Sequence, residues 1–213
     1  QLAAQYAVPN ELNKLYASMG ASLKNAFTSQ ELTVYQINLP ANRLQQWAKI
    51  ESHRLFGKPV FRLFHTELET VYDEKNRSLD NKDRLIRDAV YELVYKKHPY
   101  KRSILGTVEH LKKPSLVKIY DFFDTYYVPN NMAICISGDI EIEKTIQIIA
   151  ENFKHLEPEV LPTPKQWGED PINGVERVTV QYQGEEYVMI VFRTAPQNHA
   201  DVEALMLFDM ILD

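Results

Sequence analysis

"FRLFHTELETVYDEKNRSLDN", residues 61–81, places four carboxylates, Glu67, Glu69, Asp73 and Glu74, within eight positions. Gly57-Lys58-Pro59 precedes the stretch, which reads as a helix from about Val60 to about Arg77. A helix advances about 100° per residue, so Glu67 and Glu74, seven apart, return to within about 20° of each other. Val60, Phe64 and Val71 fall within about 60° of Glu67, whereas Glu69 and Asp73 project about 120° or more away. The four acids therefore divide. Glu69 and Asp73 belong to a wetted face, and Glu67 and Glu74 stand among apolar side chains. An unpaired buried carboxylate is costly, so such a residue needs a cation, hydrogen-bond donors or a metal. Geometry alone leaves these open and favours pairing with Arg or Lys from another helix.

Working outward, "GASLKNAFTSQELTVYQINLP" from Gly20 is rich in Thr, Val, Tyr and Ile around the turn-like "TSQE" and reads as a β-hairpin or two short strands. Ahead of it, residues 1–19 read as helical with a break at Val8-Pro9-Asn10, where Asn10 is placed to cap. "ANRLQQWAKIESHRLF" is an amphipathic helix with Leu44, Trp47, Ala48 and Leu55 on or near one face. Beyond the acidic helix, Asp80 or Asn81 caps a third helix that ends before Pro99, and Pro114-Ser115 starts another. "MAICISGDI" reads as a short buried strand, with Cys135 a buried structural thiol, and the helix after it carries Ile142, Ile146, Ile149 and Phe153 in register.

Residues 157–176, "EPEVLPTPKQWGEDPINGVE", hold four prolines and two glycines and form the best connecting segment in the chain. "RVTVQYQ" and "EYVMIVFRT" then read as two strands around Gly184-Glu185, and a helix begins near His199. The expected organisation is α+β: a helix-rich two-layer domain with an antiparallel sheet over 1–156, a linker over 157–176, and the start of a second such domain over 177–213. The chain opens and closes inside helical patterns, so the expectation is a piece of a longer protein.

Charge and composition exclude some functions. A net charge of -5 and scattered Lys and Arg argue against nucleic acid as a partner. No apolar run is long enough to span a bilayer. The single cysteine forms no internal disulfide. The six histidines show neither H-x-x-x-H nor H-x-x-E-H spacing, and one carboxylate cannot hold zinc, which takes three or four protein ligands.

"ELETVYDE" resembles the E-x-x-x-V-x-x-E helix of the insulinase, or pitrilysin-type inverzincin, metallopeptidases, and "NAFTSQELTVY" resembles their substrate-side strand. "HPY", "LGTVEHL" and "YYVPNNMAICISGDI" follow in that family's order, in phrasing most similar to bacterial members. The resemblance implies a zinc-dependent endopeptidase. In that family two histidines of an H-x-x-E-H helix and a downstream glutamate bind zinc, and the glutamate inside that motif is the general base. Carried over, Glu74 is the third zinc ligand and Glu67 supports it from behind.

By the same resemblance Asn25, Ala26 and Phe27 contact a peptide lying along the strand edge; an ordinary internal strand with Phe27 in the core is the plainer reading of those residues. The H-x-x-E-H helix is absent from these residues and is expected upstream, so the general base lies outside the chain, which alone is expected to be inactive and to bind zinc weakly or not at all. Partners implied are a peptide or unfolded polypeptide substrate and a second homologous half or subunit. An envelope location suits a bacterial peptidase of this type, with no targeting segment to read. The alternative is a non-catalytic homologue acting as a partner-binding or scaffold subunit. His98 in "KKHPY" reads as structural, and "ISGDI" as a strand-end turn rather than a phosphate loop.

Overall fold

The computed structural model describes residues 8, 10–58, 61 and 64–212. The helical segment expected before Val8 and the helix start expected near Val60 lie outside these residues. In chain order the elements are α1 (Glu11–Ser18), β1 (Ser22–Thr28), β2 (Thr33–Asn38), α2 (Leu44–Phe56), α3 (Phe64–Leu79), α4 (Lys82–Val94), α5 (Val108–Lys112), α6 (Leu116–Tyr126), α7 (Ile142–Phe153) and α8 (Val202–Leu212). The fold is α+β, helix-rich with a two-stranded antiparallel sheet. Contacts divide it into two units, Gln1–Asp80 with Ser103–Gln166 and Asn81–Arg102 with Trp167–Asp213.

In the first unit β1 and β2 form the expected hairpin, with Ala26 opposite Tyr35 and Thr28 opposite Thr33. Its turn closes where the Ser29 N–H donates to the Leu32 carbonyl at 2.8 Å. The register slips between Ser22 and Asn25, where Leu23 takes φ 49°, a bulge at an uncommon left-handed position for a side chain of that size. Helix α2 packs on α7. Ala48 is fully buried on that helix, and Phe56 meets Phe153 edge to face at 6.2 Å. Ahead of α3, Phe61 stacks on Tyr120 at 3.8 Å and meets Phe123 edge-on at 5.8 Å, and Lys58 pairs with Asp124. These contacts fasten the start of α3 to α6.

Polar side chains cap three of the helices, two of them at positions the sequence implied. Asn81 accepts from the Arg84 N–H at 2.9 Å and Ser115 from the Lys118 N–H at 3.4 Å. Thr107 caps α5 in the same way, accepting from the His110 N–H at 3.3 Å. Asn10 differs: it sits before α1 at φ 56° and its side chain makes no capping bond.

Two expected sheet segments do not form. Met132 keeps extended backbone at φ -130° and ψ 152°, yet residues 132–137 join no strand among the described residues. Ile134 and Cys135 are exposed there, so the buried strand and the buried thiol are both corrected. Among the described residues the second hairpin is likewise absent, and Val188 and Phe192 are 88% and 78% exposed. The reason is common to both. A strand exists only where a neighbour takes its N–H and C=O groups, and apolar, β-branched side chains do not themselves supply that neighbour.

The second unit is organised around Glu169, whose carboxylate accepts the backbone N–H groups of Lys96 at 2.9 Å, Lys97 at 2.7 Å and His98. Lys97 pairs with Asp170 at 2.7 Å and Lys96 with Glu176 at 2.8 Å. The His98 ring lies among Tyr95, Tyr100 and Trp167, and its Nδ1 accepts from the Tyr100 N–H at 3.2 Å, as a structural histidine should. No helix among the described residues is long and apolar enough to cross a membrane.

Candidate functional site

The acids of α3 do not divide as the helical arithmetic predicts. Lys75 and Ser78 are its buried residues, with Phe64, Leu68, Tyr72 and Asn76 half-buried. Leu68, Tyr72 and Lys75 lie about 80–140° around the helix from Glu67. Most of the packed stripe is therefore turned by about 100° from Glu67, with buried Ser78 alone staying within about 20° of it, and Glu67, Glu69, Asp73 and Glu74 are all exposed. Neighbours decide this. Phe61 and Lys58 fasten the helix start to α6, while Tyr72 faces α5, where the Lys112 ammonium lies 5.9 Å from its ring centroid. Lys75 joins the inward stripe because a lysine buries its aliphatic stem at little cost when the ammonium reaches water.

Beside α3 the first unit opens into a broad concavity of ≈ 2650 Å³. Asn25 and Ala26 of β1 line it, as do Thr66 and Glu67 at the start of α3. Phe27 and Glu74 do not. Phe27, next in the strand, is 51% exposed. Glu74 stands two helical turns, about 10 Å of rise, beyond Glu67. Three of the five residues singled out from the sequence thus share one hollow, and two lie outside it.

The concavity also holds a polar chain that the sequence reading missed. The Tyr16 hydroxyl donates to Glu51, and Arg54 grips the same carboxylate, its Nε at 3.0 Å from Oε1 and 3.1 Å from Oε2 while Nη2 bonds Oε2. The Arg54 guanidinium lies over the Tyr35 ring at 4.3 Å, and the Tyr35 and Tyr127 hydroxyls meet at 2.8 Å. Burial, then the bond to Tyr35, pushes the Tyr127 phenol above its ordinary range. Buried Glu51 is thereby fully partnered. A signal was present: Glu51 follows Ala48 by three positions in the inward stripe of α2, an acid on a face with no water to solvate it.

As to a metal, no three His, Cys, Asp or Glu side chains converge to hold one among the described residues. Glu74 supplies an exposed carboxylate, the oxygen-donor chemistry zinc accepts, but not a set of ligands.

Residues 3–108 match the family model for insulinase, peptidase family M16, and residues 115–213 match that for the peptidase M16 inactive domain. The chain belongs to the insulinase peptidase family. Insulinase-family relatives include the zinc protease PqqE of Helicobacter pylori, 25% identical over 214 residues that are 95% of this chain and 47% of that protein. The uncharacterized zinc protease YmfH of Bacillus subtilis is 30% identical over 139 residues, 64% of this chain and 32% of that protein. The first half of the periplasmic protease PqqL from Escherichia coli has the same fold, with a TM-score of 0.65 at 24% identity over 75% of this chain and 36% of that one. The chain spans less than half the length of these insulinase-family relatives.

Proposed function

We propose that the chain is the part of a zinc-dependent endopeptidase that supplies Glu74 as a zinc ligand, Glu67 as the carboxylate behind it and β1 as the edge along which the peptide lies. The observation that carries the reading is the insulinase match over residues 3–108, which contains the whole E-x-x-x-V-x-x-E helix and the hairpin. That Glu67 and Glu74 both stand exposed on one side of α3 supports it. The domains proposed are a metallopeptidase domain over 1–156, a connecting segment over 157–176 and the beginning of a second similar domain over 177–213, which together with a homologous half would enclose the substrate.

Each residue then has a task. Zinc, when bound, polarises the scissile carbonyl and makes water a nucleophile at neutral pH. Glu74 gives one oxygen donor toward it, and Glu67, on the same helical face to within about 20°, restricts the orientations open to that donor. On β1 an extended peptide adds a strand through main-chain hydrogen bonds, along the stretch where Asn25 and Ala26 line the hollow. The general base is proposed to come from residues preceding this chain.

The test is metal analysis of the full-length protein with parallel peptide-cleavage assays. Glu74→Gln is expected to remove most of the zinc, and Glu67→Gln to lower zinc content or activity by about 10–100-fold in affinity or rate, the range for outer partners of a metal ligand. Glu69→Gln and Asp73→Asn are expected to change neither. Full zinc occupancy in Glu74→Gln would refute the ligand assignment. The 213-residue chain alone is expected to take up little zinc by the same measurement.

A further inference from the structure

We infer that Arg54 is a positioning residue for the substrate edge, holding β2, and through it β1, in place by way of Tyr35. This rests on the reading of β1 as the peptide edge. Every residue of β1 is exposed, and a lone two-stranded hairpin is marginal in water. Something other than the core must therefore fix it. Tyr35 is the residue opposite Ala26, at the centre of the proposed edge. Its hydroxyl meets Tyr127 at the C-terminal end of α6 at 2.8 Å, and its ring is covered by the Arg54 guanidinium at 4.3 Å. Arg54 is itself held by Glu51, which also receives the Tyr16 hydroxyl.

One guanidinium thus joins α1, α2, β2 and α6, and all five side chains line the same hollow as Asn25, Ala26 and Glu67. The role requires arginine. Its planar fork spans both Glu51 oxygens while its face stacks on the phenol ring, and a lysine ammonium cannot do both. Arg54 acts on bound peptide through the strand and touches neither the proposed metal ligand nor the reacting atoms.

The experiment uses the zinc-loaded full-length protein, a quenched-fluorescent unstructured peptide, and amide hydrogen exchange. Arg54→Lys and Tyr127→Phe are expected to raise KM by about three- to tenfold with kcat and zinc content little changed, and to speed exchange across residues 33–38. Ala26→Pro, which removes from the edge itself the N–H that here donates to the Asn25 side-chain carbonyl at 2.9 Å, separates the two readings. If Ala26→Pro raises KM while both other variants leave KM and hairpin exchange at wild-type values, the positioning role is overturned and the peptide edge stands. If none of the three moves KM, the peptide edge fails and the positioning role falls with it. Should Arg54→Lys lose its cooperative melt, Tyr127→Phe, which deletes a single oxygen, decides, and an unchanged KM in that variant overturns the role.

Discussion

Glu169 is partly withdrawn from water, which raises a carboxyl pKa, yet backbone N–H groups of His98, Lys96 and Lys97, with Arg193 nearby, overcome that and hold it at about 2. Three amides on one carboxylate is a strong preference for the charged form. The linkage follows from the sign of the shift. A depressed folded-state pKa contributes stability that is fully present above the ordinary value of 4.5 and is lost as pH falls through about 2. In Glu169→Gln that contribution is gone at every pH. Thermal melts at stepped pH should therefore show the wild-type and variant curves well separated above pH 4.5 and converging toward pH 2. Parallel curves over that interval would show that the carboxylate's charge plays no part. Three other instructive acids were open to helical arithmetic. It would have found Glu51, because the inward stripe of α2 contains Ala48 and Leu55 and is correctly marked by its apolar residues. It misplaced Glu67 and Glu74, because the inward stripe of α3 contains a lysine and a serine and is set by α5 and α6 instead.

Elements with local causes were legible in the sequence, and those with distant causes were not. The β1–β2 hairpin announces itself through a turn flanked by β-formers, and α4 and α6 through Asn81 and Ser115. Helix α5, five residues from Val108 to Lys112, is too short to show a period, and only Thr107 marks its start. Residues 132–137 carry a strand's composition, and Met132 an extended backbone, but no adjacent strand among the described residues completes them. The caps yield a direct test of local cause. Asn81→Ala deletes the side-chain acceptor that caps α4 and is expected to cost about 1 kcal/mol in denaturant unfolding. Asn10→Gly, at a residue whose side chain makes no capping bond and whose φ of 56° glycine adopts freely, is expected to cost only a few tenths of that. Equal losses at the two positions would mean that the cap hydrogen bond is not what stabilises α4.

At the scale of the molecule, the distribution of apolar surface says how far the described contacts satisfy the sequence. In the first unit Ile142 and Ile146, two of the four residues that set the period of α7, remain 64% and 63% exposed. In the second unit Met206, Leu207, Phe208, Met210, Ile211 and Leu212 of α8 are all largely exposed, beside the open run from Val188 to Phe192. A period that predicts burial, as in α7, is a statement about a helix with a partner, and here part of the face has none among the described residues. Apolar patches of this extent on an isolated chain favour association, since each buried square ångström contributes roughly 25 cal/mol. The 213-residue chain on its own is therefore expected to bind a dye such as ANS and to self-associate with rising concentration in sedimentation, whereas the full-length protein does neither to the same degree. Replacing Leu207 and Ile211 of α8 together with Lys should lower both signals in the isolated chain while leaving the α2–α7 packing of the first unit intact by amide exchange. A monodisperse, dye-silent chain would instead mean that these faces are covered within it.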